Sequence, residues 1–87
     1  MSLEDDFRKA SERSRELTQK PTNEELLSLY ALFKQASEGD VIGDRPGGFD
    51  FKAIAKYDAW AEKKGMTTGQ AMQEYILLVD QLTQKYS

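Results

Sequence analysis

Apolar residues recur at helical spacing in the first part of the chain. Positions three or four residues apart fall on one face of a helix, and the first such row contains Leu3, Phe7, Ala10, Ser14 and Leu17. Ser14 is the polar exception in this apolar row. Pro21 then separates the row from the next, because proline cannot continue a helix. The pattern predicts a first helix over residues 3–18.

A second helix is predicted over residues 23–37, and a capping box marks its start. Thr22 and Glu25 stand in a T-x-x-E pattern, in which the hydroxyl and the carboxylate each accept a hydrogen bond from a free backbone N–H. Gly39 suits the end of the helix, because glycine readily adopts the left-handed conformation. Two faces of this helix are apolar, formed by Leu26, Leu27, Leu29, Tyr30, Leu32, Phe33 and Ala36.

A polar loop over residues 38–50 follows, and it contains four glycines and one proline. Loops of this length inside compact domains tend to be functional or partly mobile. A third helix is predicted over residues 51–64, capped by Asp50 and ended by Gly65. It is less regular than the others, with Ile54, Tyr57 and Trp60 among small alanines.

The fourth helix, predicted over residues 68–85, has the clearest amphipathic pattern, formed by Met72, Tyr75, Val79, Leu82 and Tyr86. Four helices and no strand signal predict an all-α fold, a four-helix bundle in one domain over residues 1–87. The first and last connections are short, so we expect each to join antiparallel neighbours. The long middle loop permits the second and third helices to run in the same direction.

The amino-acid composition excludes several kinds of catalytic and metal-binding site. The chain of 87 residues has no histidine and no cysteine, which removes thiol nucleophiles, the usual general base near neutral pH and the commonest metal ligands. The formal net charge is −3, without the basic footprint of nucleic-acid binders. No run of about 18 apolar residues is present, so we expect no membrane insertion. Neither a metal nor a cofactor is expected, and nothing indicates an oligomer rather than a monomer.

One group of side chains stands out on the second and third helices. Lysines alternate with aromatic residues at helical spacing there, in the set Tyr30, Phe33, Lys34, Lys52, Lys56, Tyr57 and Trp60. A cation beside aromatic rings and leucines suits an amphipathic ligand with an anionic group and an apolar body. Spacing alone favours a simpler interpretation, in which the rings are core residues and the lysines are solvated.

Three longer segments match a known family in order and spacing. They are KPTNEELLSLYALFKQASEGD at residues 20–40, RPGGFDFKAIAKYDAWAEKKG at residues 45–65 and AMQEYILLVDQL at residues 71–82. Phe7, Ala10 and Tyr86 extend the match over nearly the whole chain. The sequence resembles the acyl-CoA-binding protein family, also called diazepam-binding inhibitor.

The resemblance implies a bundle with up-down-down-up topology that binds medium- to long-chain fatty acyl-CoA in the cytoplasm, as a carrier without catalytic residues. By position, Tyr30 and Lys34 would contact the adenine and the ribose 3′-phosphate, with Lys56 as a second phosphate contact and Tyr75 near the adenine. The implied ligand-binding set is Arg15, Tyr30, Ala31, Leu32, Phe33, Lys34, Lys52, Lys56 and Tyr75. Leu26 and Leu27 would line the acyl groove, next to Ala31.

The chain departs from the family pattern at several positions. Phe33 stands where many members have tyrosine, Arg15 replaces lysine and Tyr57 replaces tryptophan. Ala53-Ile54 replaces Gly-Lys, and Ser14 replaces an apolar residue. Two alternatives to acyl-CoA binding are a helical protein-interaction domain that has lost its ligand and an acyl-CoA-using enzyme. Retention of the lysines and tyrosines argues against the first, and the lack of His and Cys argues against the second.

Overall fold

The computed structural model describes residues 2–86, which form four helices and, within that range, no strand. The helices are α1 (Leu3–Ser14), α2 (Asn23–Glu38), α3 (Phe51–Ala61) and α4 (Thr68–Lys85). The prediction of an all-α fold is confirmed, and α4 has the predicted bounds. Two predicted helices extended too far, since α1 ends at Ser14 rather than at residue 18 and α3 ends at Ala61 rather than at residue 64.

The early end of α1 has a local cause. The Ser14 hydroxyl donates to the carbonyl of Ser11 at 2.7 Å, a bond that competes with the backbone ladder. The next amide, that of Arg15, bonds to the carbonyl of Glu12 at 3.2 Å, which tightens the helix into a turn. Leu17 still packs against the core, so its place in the apolar row did not require a helical backbone.

The predicted helix starts are confirmed by their hydrogen bonds. Thr22 Oγ1 accepts from the amide of Glu25 at 3.1 Å, and Glu25 Oε1 accepts from the amide of Thr22 at 2.8 Å. Asp50 caps α3 by accepting from the amide of Ala53 at 3.1 Å. Thr67 caps α4 through its side chain. Each cap satisfies an amide that lacks a partner within its helix.

Helix α4 runs parallel to α1 and antiparallel to α2. The ring centroids of Phe7 and Tyr75 are 5.1 Å apart, and farther along both helices Arg13 Nη1 lies 2.8 Å from Asp80 Oδ1. Residue numbers therefore rise together along α1 and α4. The opposite order holds for α2, because Phe33 lies beside Tyr75 near the start of α4, whereas Glu25 of α2 bonds Lys85 at its end.

Helix α3 packs against α2 and runs in the same direction, since Lys56 lies over Tyr30 and Trp60 lies under Lys34. These directions give the up-down-down-up topology. The helices joined by the two short connections do run antiparallel, but the expectation that they are direct neighbours is wrong, because among residues 2–86 no Cα atoms of α1 and α2, or of α3 and α4, lie within 8 Å. Helix α4 packs against both α1 and α2 instead, and those two helices meet only through side chains such as Phe7 and Phe33.

The core lies where α1, α2 and α4 meet. Its buried residues are Ala10, Leu29, Leu32, Tyr75, Val79 and Leu82. From α3, Trp60 is the one buried residue among those described. Helix α3 is therefore attached to the outside of a three-helix core.

The loop between α2 and α3 is held by specific bonds to α3. Arg45 makes two hydrogen bonds to the Asp58 carboxylate, both at 2.8 Å, and the Tyr57 hydroxyl donates to the carbonyl of Gly43 at 2.9 Å. The guanidinium beside it lowers the pKa of Asp58. Ile42 and Phe49 on this loop stay exposed. These bonds fix the loop along the side of α3.

Candidate ligand-binding site

Two lysines lie over aromatic rings along the contact between α2 and α3. Lys56 Nζ of α3 is 5.1 Å from the ring centroid of Tyr30 on α2, and Lys34 Nζ of α2 is 4.9 Å from the ring centroid of Trp60 on α3. Both distances lie within the range of cation–π attraction. Each helix thus supplies one ammonium group and one ring, and the arrangement puts two cations on one side of the molecule. We call Tyr30, Lys34, Lys56 and Trp60 the cationic seam.

The sequence produces this seam through its spacing. Tyr30 and Lys34 are four residues apart, as are Lys56 and Trp60, so each pair shares one face of its helix. Because α2 and α3 run in the same direction, the ring of one helix meets the lysine of the other. Ala31 is fully buried, and its small side chain lets the two helices approach closely. The exposed Lys52 lies one turn before Lys56 on the same face of α3.

The Trp60 side chain of the seam is held in place by burial and by a hydrogen bond. Its indole Nε1 donates to the carbonyl of Gly39 at 2.8 Å, which ties the end of α2 to α3. The sequence left open whether this ring is a core anchor or a ligand contact. Its burial and its hydrogen bond make it an anchor that carries Lys34 above it.

Lys34 is partly shielded and already paired. Its side chain is 25% exposed, and its ammonium group forms an ion pair with Glu38, one turn later on α2. A cation with reduced access to water interacts more strongly with an incoming anion than a fully exposed one does. Lys34 and Lys56 are therefore suited to an anionic group placed over the seam.

A groove of about 270 Å³ lies along the same pair of helices. Small and apolar side chains form part of its wall, namely Leu27, Ala31, Ala55 and Ala59. Charged residues also line it, namely Glu24, Asp58, Glu62 and Lys63. Among the described residues that line it, Leu27 and Ala31 belong to the predicted acyl groove, whereas the half-buried Leu26 lies elsewhere on α2.

Beside the seam, three rings form an aromatic cluster. Phe33 lies 5.4 Å from Phe7 and 6.0 Å from Tyr75, measured between ring centroids. Phe33 is 36% exposed, whereas Tyr75 is 3% exposed. The Tyr75 hydroxyl donates to Ser14 Oγ at 3.4 Å, which explains the polar residue in the apolar row of α1. Phe33 is the ring of this cluster that is open to a ligand.

Comparison with known proteins is consistent with this geometry. The family model described as acyl CoA binding protein matches residues 4–79. An acyl-CoA-binding protein from Brassica napus is 48% identical over 82 residues, which covers 94% of this chain and 89% of the relative. The yeast Saccharomyces cerevisiae protein of the same name is 47% identical over 81 residues, and 93% of each chain is covered.

The chain belongs to the acyl-CoA-binding protein family. The crystal structure of Oryza sativa acyl-CoA-binding protein 2 superposes with a TM-score of 0.92 at 38% identity, covering 97% of this chain and 93% of that one. A crystal structure of the protein from Moniliophthora perniciosa gives a TM-score of 0.90, also at 38% identity, over 100% of this chain and 85% of that one. The fold predicted from the resemblance is therefore confirmed.

In this member of the acyl-CoA-binding protein family, the predicted site residues fall into three groups. The seam and its border contain Tyr30, Lys34, Lys52 and Lys56, with Phe33 beside them. Leu32 and Tyr75 are 5% and 3% exposed and belong to the core, so they support the site from within the bundle. Arg15 is exposed at the end of α1, one residue after Ser14, and so lies nearer the aromatic cluster.

A second network joins the start of α2 to the end of α4. The Glu25 carboxylate accepts from Lys85 Nζ at 2.8 Å and from the Tyr86 hydroxyl at 2.5 Å. These hydrogen bonds, that of Lys85 first, lower the pKa of Glu25 to about 2. Sequence reasoning explained Glu25 by its capping role and by the helix dipole, and the spacing of residues gave no sign that the end of α4 reaches the start of α2.

Residues 2–86 contain neither a metal-binding cluster nor a membrane-spanning helix. No group of three or more acidic side chains among residues 2–86 is arranged to hold a metal ion. Within the same range, no helix is long and apolar enough to cross a membrane. The chemistry that the site residues provide is that of cations, rings and a partly apolar groove.

Proposed function

We propose that this protein binds medium- to long-chain fatty acyl-CoA esters with high affinity and acts as an intracellular carrier and pool-former for them. It does so as a monomer in the cytoplasm, through one acyl-CoA-binding domain over residues 1–87, and without catalysis. The observation that carries the proposal is the cationic seam, in which Lys34 and Lys56 lie over rings on two facing helices of an acyl-CoA-binding protein fold.

The phosphorylated adenosine of coenzyme A fits the charge and shape of the seam. Lys34 and Lys56 supply ammonium groups for the ribose 3′-phosphate, and Lys52 adds a third positive charge at the edge. Tyr30 and the exposed face of Phe33 provide surfaces on which the adenine ring can stack. Phe33 lacks the hydroxyl of a tyrosine, so its contribution is stacking without a hydrogen bond. Arg15 adds charge from the aromatic side.

The acyl tail requires an apolar surface next to this head-group site. Leu27 and Ala31 border the groove between α2 and α3, and Leu26 adds half-buried apolar area on the same helix. Burial of an alkyl chain stabilises a complex by roughly 0.8 kcal/mol per methylene. Affinity should therefore rise with chain length until the groove is filled, which gives the preference for medium and long chains.

The absence of histidine and cysteine from the sequence supports a binding role rather than an enzymatic one. The relatives from Brassica napus and Saccharomyces cerevisiae are named for acyl-CoA binding. No observation on the described residues favours the protein-interaction domain over this proposal.

Calorimetric titration with palmitoyl-CoA, free coenzyme A and palmitate tests the proposal. We expect tight binding of palmitoyl-CoA alone, because the contributions of head group and tail must combine. Equal affinity for free palmitate would indicate a fatty-acid binder instead. Absence of heat with every acyl-CoA from about eight to twenty carbons, a range chosen to span the groove-filling lengths, would favour the protein-interaction domain.

A further inference from the structure

The ammonium group of Lys34 has two partners, an aromatic ring and a carboxylate. Below it lies the Trp60 ring, with 4.9 Å between Nζ and the ring centroid, and beside it lies the carboxylate of Glu38. The Glu38 side chain is 50% exposed, so this carboxylate is free to rotate away from the lysine. The Trp60 ring is held by its bond to Gly39 and cannot do so. Trp60 is therefore a fixed partner of Lys34, whereas Glu38 is a partner that an incoming anion can replace.

Helix stability does not account for Glu38. It is the last residue of α2, where the negative end of the helix dipole disfavours a carboxylate. The ion pair also has the less favourable order, with the lysine four residues before the glutamate. The first turn of α2, by contrast, carries Glu24 and Glu25 where the dipole favours them. A carboxylate in this position therefore acts mainly on the lysine beside it.

We propose that Glu38 is an internal competitor for Lys34, which the phosphate of the ligand must displace, and that it thereby sets how strongly the site discriminates in favour of phosphorylated adenosine. The inference rests on the proposed function, since it assigns a role to a residue next to the head-group site. The Glu38 carboxylate already occupies a donor of the Lys34 ammonium group and offsets its positive charge, so an incoming phosphate gains the full charge of the lysine only when Glu38 moves away. Glu38 also repels the incoming phosphate directly.

Replacement of Glu38 by glutamine tests this role. Exposed ion pairs contribute up to about 1 kcal/mol, so we expect Glu38→Gln to bind palmitoyl-CoA about two- to fivefold more tightly. The gain should be largely absent for dephospho-palmitoyl-CoA, which lacks the 3′-phosphate. It should also shrink as salt is added, because screening weakens the competing pair. The thermal midpoint should stay equal or rise, since the variant removes an unfavourable charge from the helix end.

Two controls make the result specific. Glu12→Gln removes the same charge from the exposed face of α1 and should leave both affinities unchanged. In the Lys34→Ala background, Glu38→Gln should have no further effect on affinity, because the competition needs the lysine. Weaker binding by Glu38→Gln, an equal gain for both ligands, or a gain that persists without Lys34 would overturn the inference.

Adenosine 3′,5′-bisphosphate separates this inference from the proposed function, because it carries the phosphate without the tail. If the wild-type protein binds the bisphosphate but no acyl-CoA, the proposed function is wrong, and the effect of Glu38→Gln on the bisphosphate still decides the role of Glu38. If the wild-type protein binds neither ligand, the inference is wrong together with the function.

Discussion

The α1–α2–α4 core and the cationic seam are formed by different kinds of side chain. The core is mainly aliphatic, with Val79 fully buried and Leu32 and Leu82 nearly so. The seam consists of lysines and rings where α2 meets α3, and α3 contributes Trp60 as its one buried residue among those described. Folding therefore depends mainly on one side of α2, and the proposed ligand recognition depends on the other.

Helix α2 is the element that serves both regions, which explains its two apolar faces. Leu29 and Leu32 point into the core, whereas Tyr30 and Lys34 belong to the seam. Neighbouring residues on one helix thus have different roles, some in the core and some in the seam. Substitutions on α2 should divide into those that change stability and those that change affinity, and this division can be tested residue by residue.

The largest effect on stability is expected from the core side of α2. Leu32→Ala removes a buried side chain and leaves a cavity, which should cost about 2–5 kcal/mol of the free energy of unfolding. Urea denaturation measures this loss. Because Leu32 was also assigned to the ligand by resemblance, palmitoyl-CoA affinity should be measured under conditions where the variant is folded. Retained affinity would place Leu32 in the core alone, and a stability near wild type would contradict the division itself.

The largest effect on affinity is expected from the seam. Lys56→Ala removes one of two cations available to the phosphate, and a hydrogen bond to a charged group is worth about 1.5–3 kcal/mol, so palmitoyl-CoA should bind about ten- to a hundredfold more weakly. Stability should change by less than about 1 kcal/mol, since only a half-exposed cation–π contact is lost. Calorimetry and urea denaturation give the two values.

A matched control accompanies this measurement. Lys9→Ala removes the same charge from the exposed face of α1 and should leave affinity unchanged, apart from a small effect of net charge. Equal losses of affinity in Lys9→Ala and Lys56→Ala would mean that the seam provides only a diffuse positive field. In that case the seam would not differ from the rest of the surface in its contribution to ligand affinity.

The two regions also differed in how far they could be predicted. Helix caps are local features, so the capping box of Thr22 and Glu25 was correctly predicted from its spacing, and Asp50 was correctly predicted as the cap of α3 from its position just before the helix. The neighbours of each helix depend on which apolar faces match in three dimensions. For that reason, the short connections misled the prediction of direct contact between α1 and α2.

The site shows the same limit of local reasoning. Spacing alone placed Tyr30 with Lys34 and Lys56 with Trp60 on single faces, but it did not show that each lysine would lie over the ring of the other helix. Burial of Tyr75 depends on Ser14 and Phe7 from α1, which are more than sixty positions away in the chain. The family resemblance supplied residue positions but not the division between seam and core.

The smallest expected effect concerns the network that links α2 to the end of α4. The pKa of Glu25 is lowered to about 2 from its ordinary value of 4.5, so its carboxylate contributes stability at pH above about 4.5 that is lost as the pH falls toward 2. Glu25→Gln keeps a side-chain oxygen for the capping box while removing the charge that Lys85 pairs with. Thermal midpoints of wild type and variant should differ at pH 7 and converge between pH 4.5 and 2.

Lys85→Ala breaks the same ion pair from the other side, and its thermal midpoint should converge with that of wild type over the same pH interval. A difference that stays constant with pH would show that the carboxylate charge does not stabilise this end of α2, and that the capping bond alone holds it.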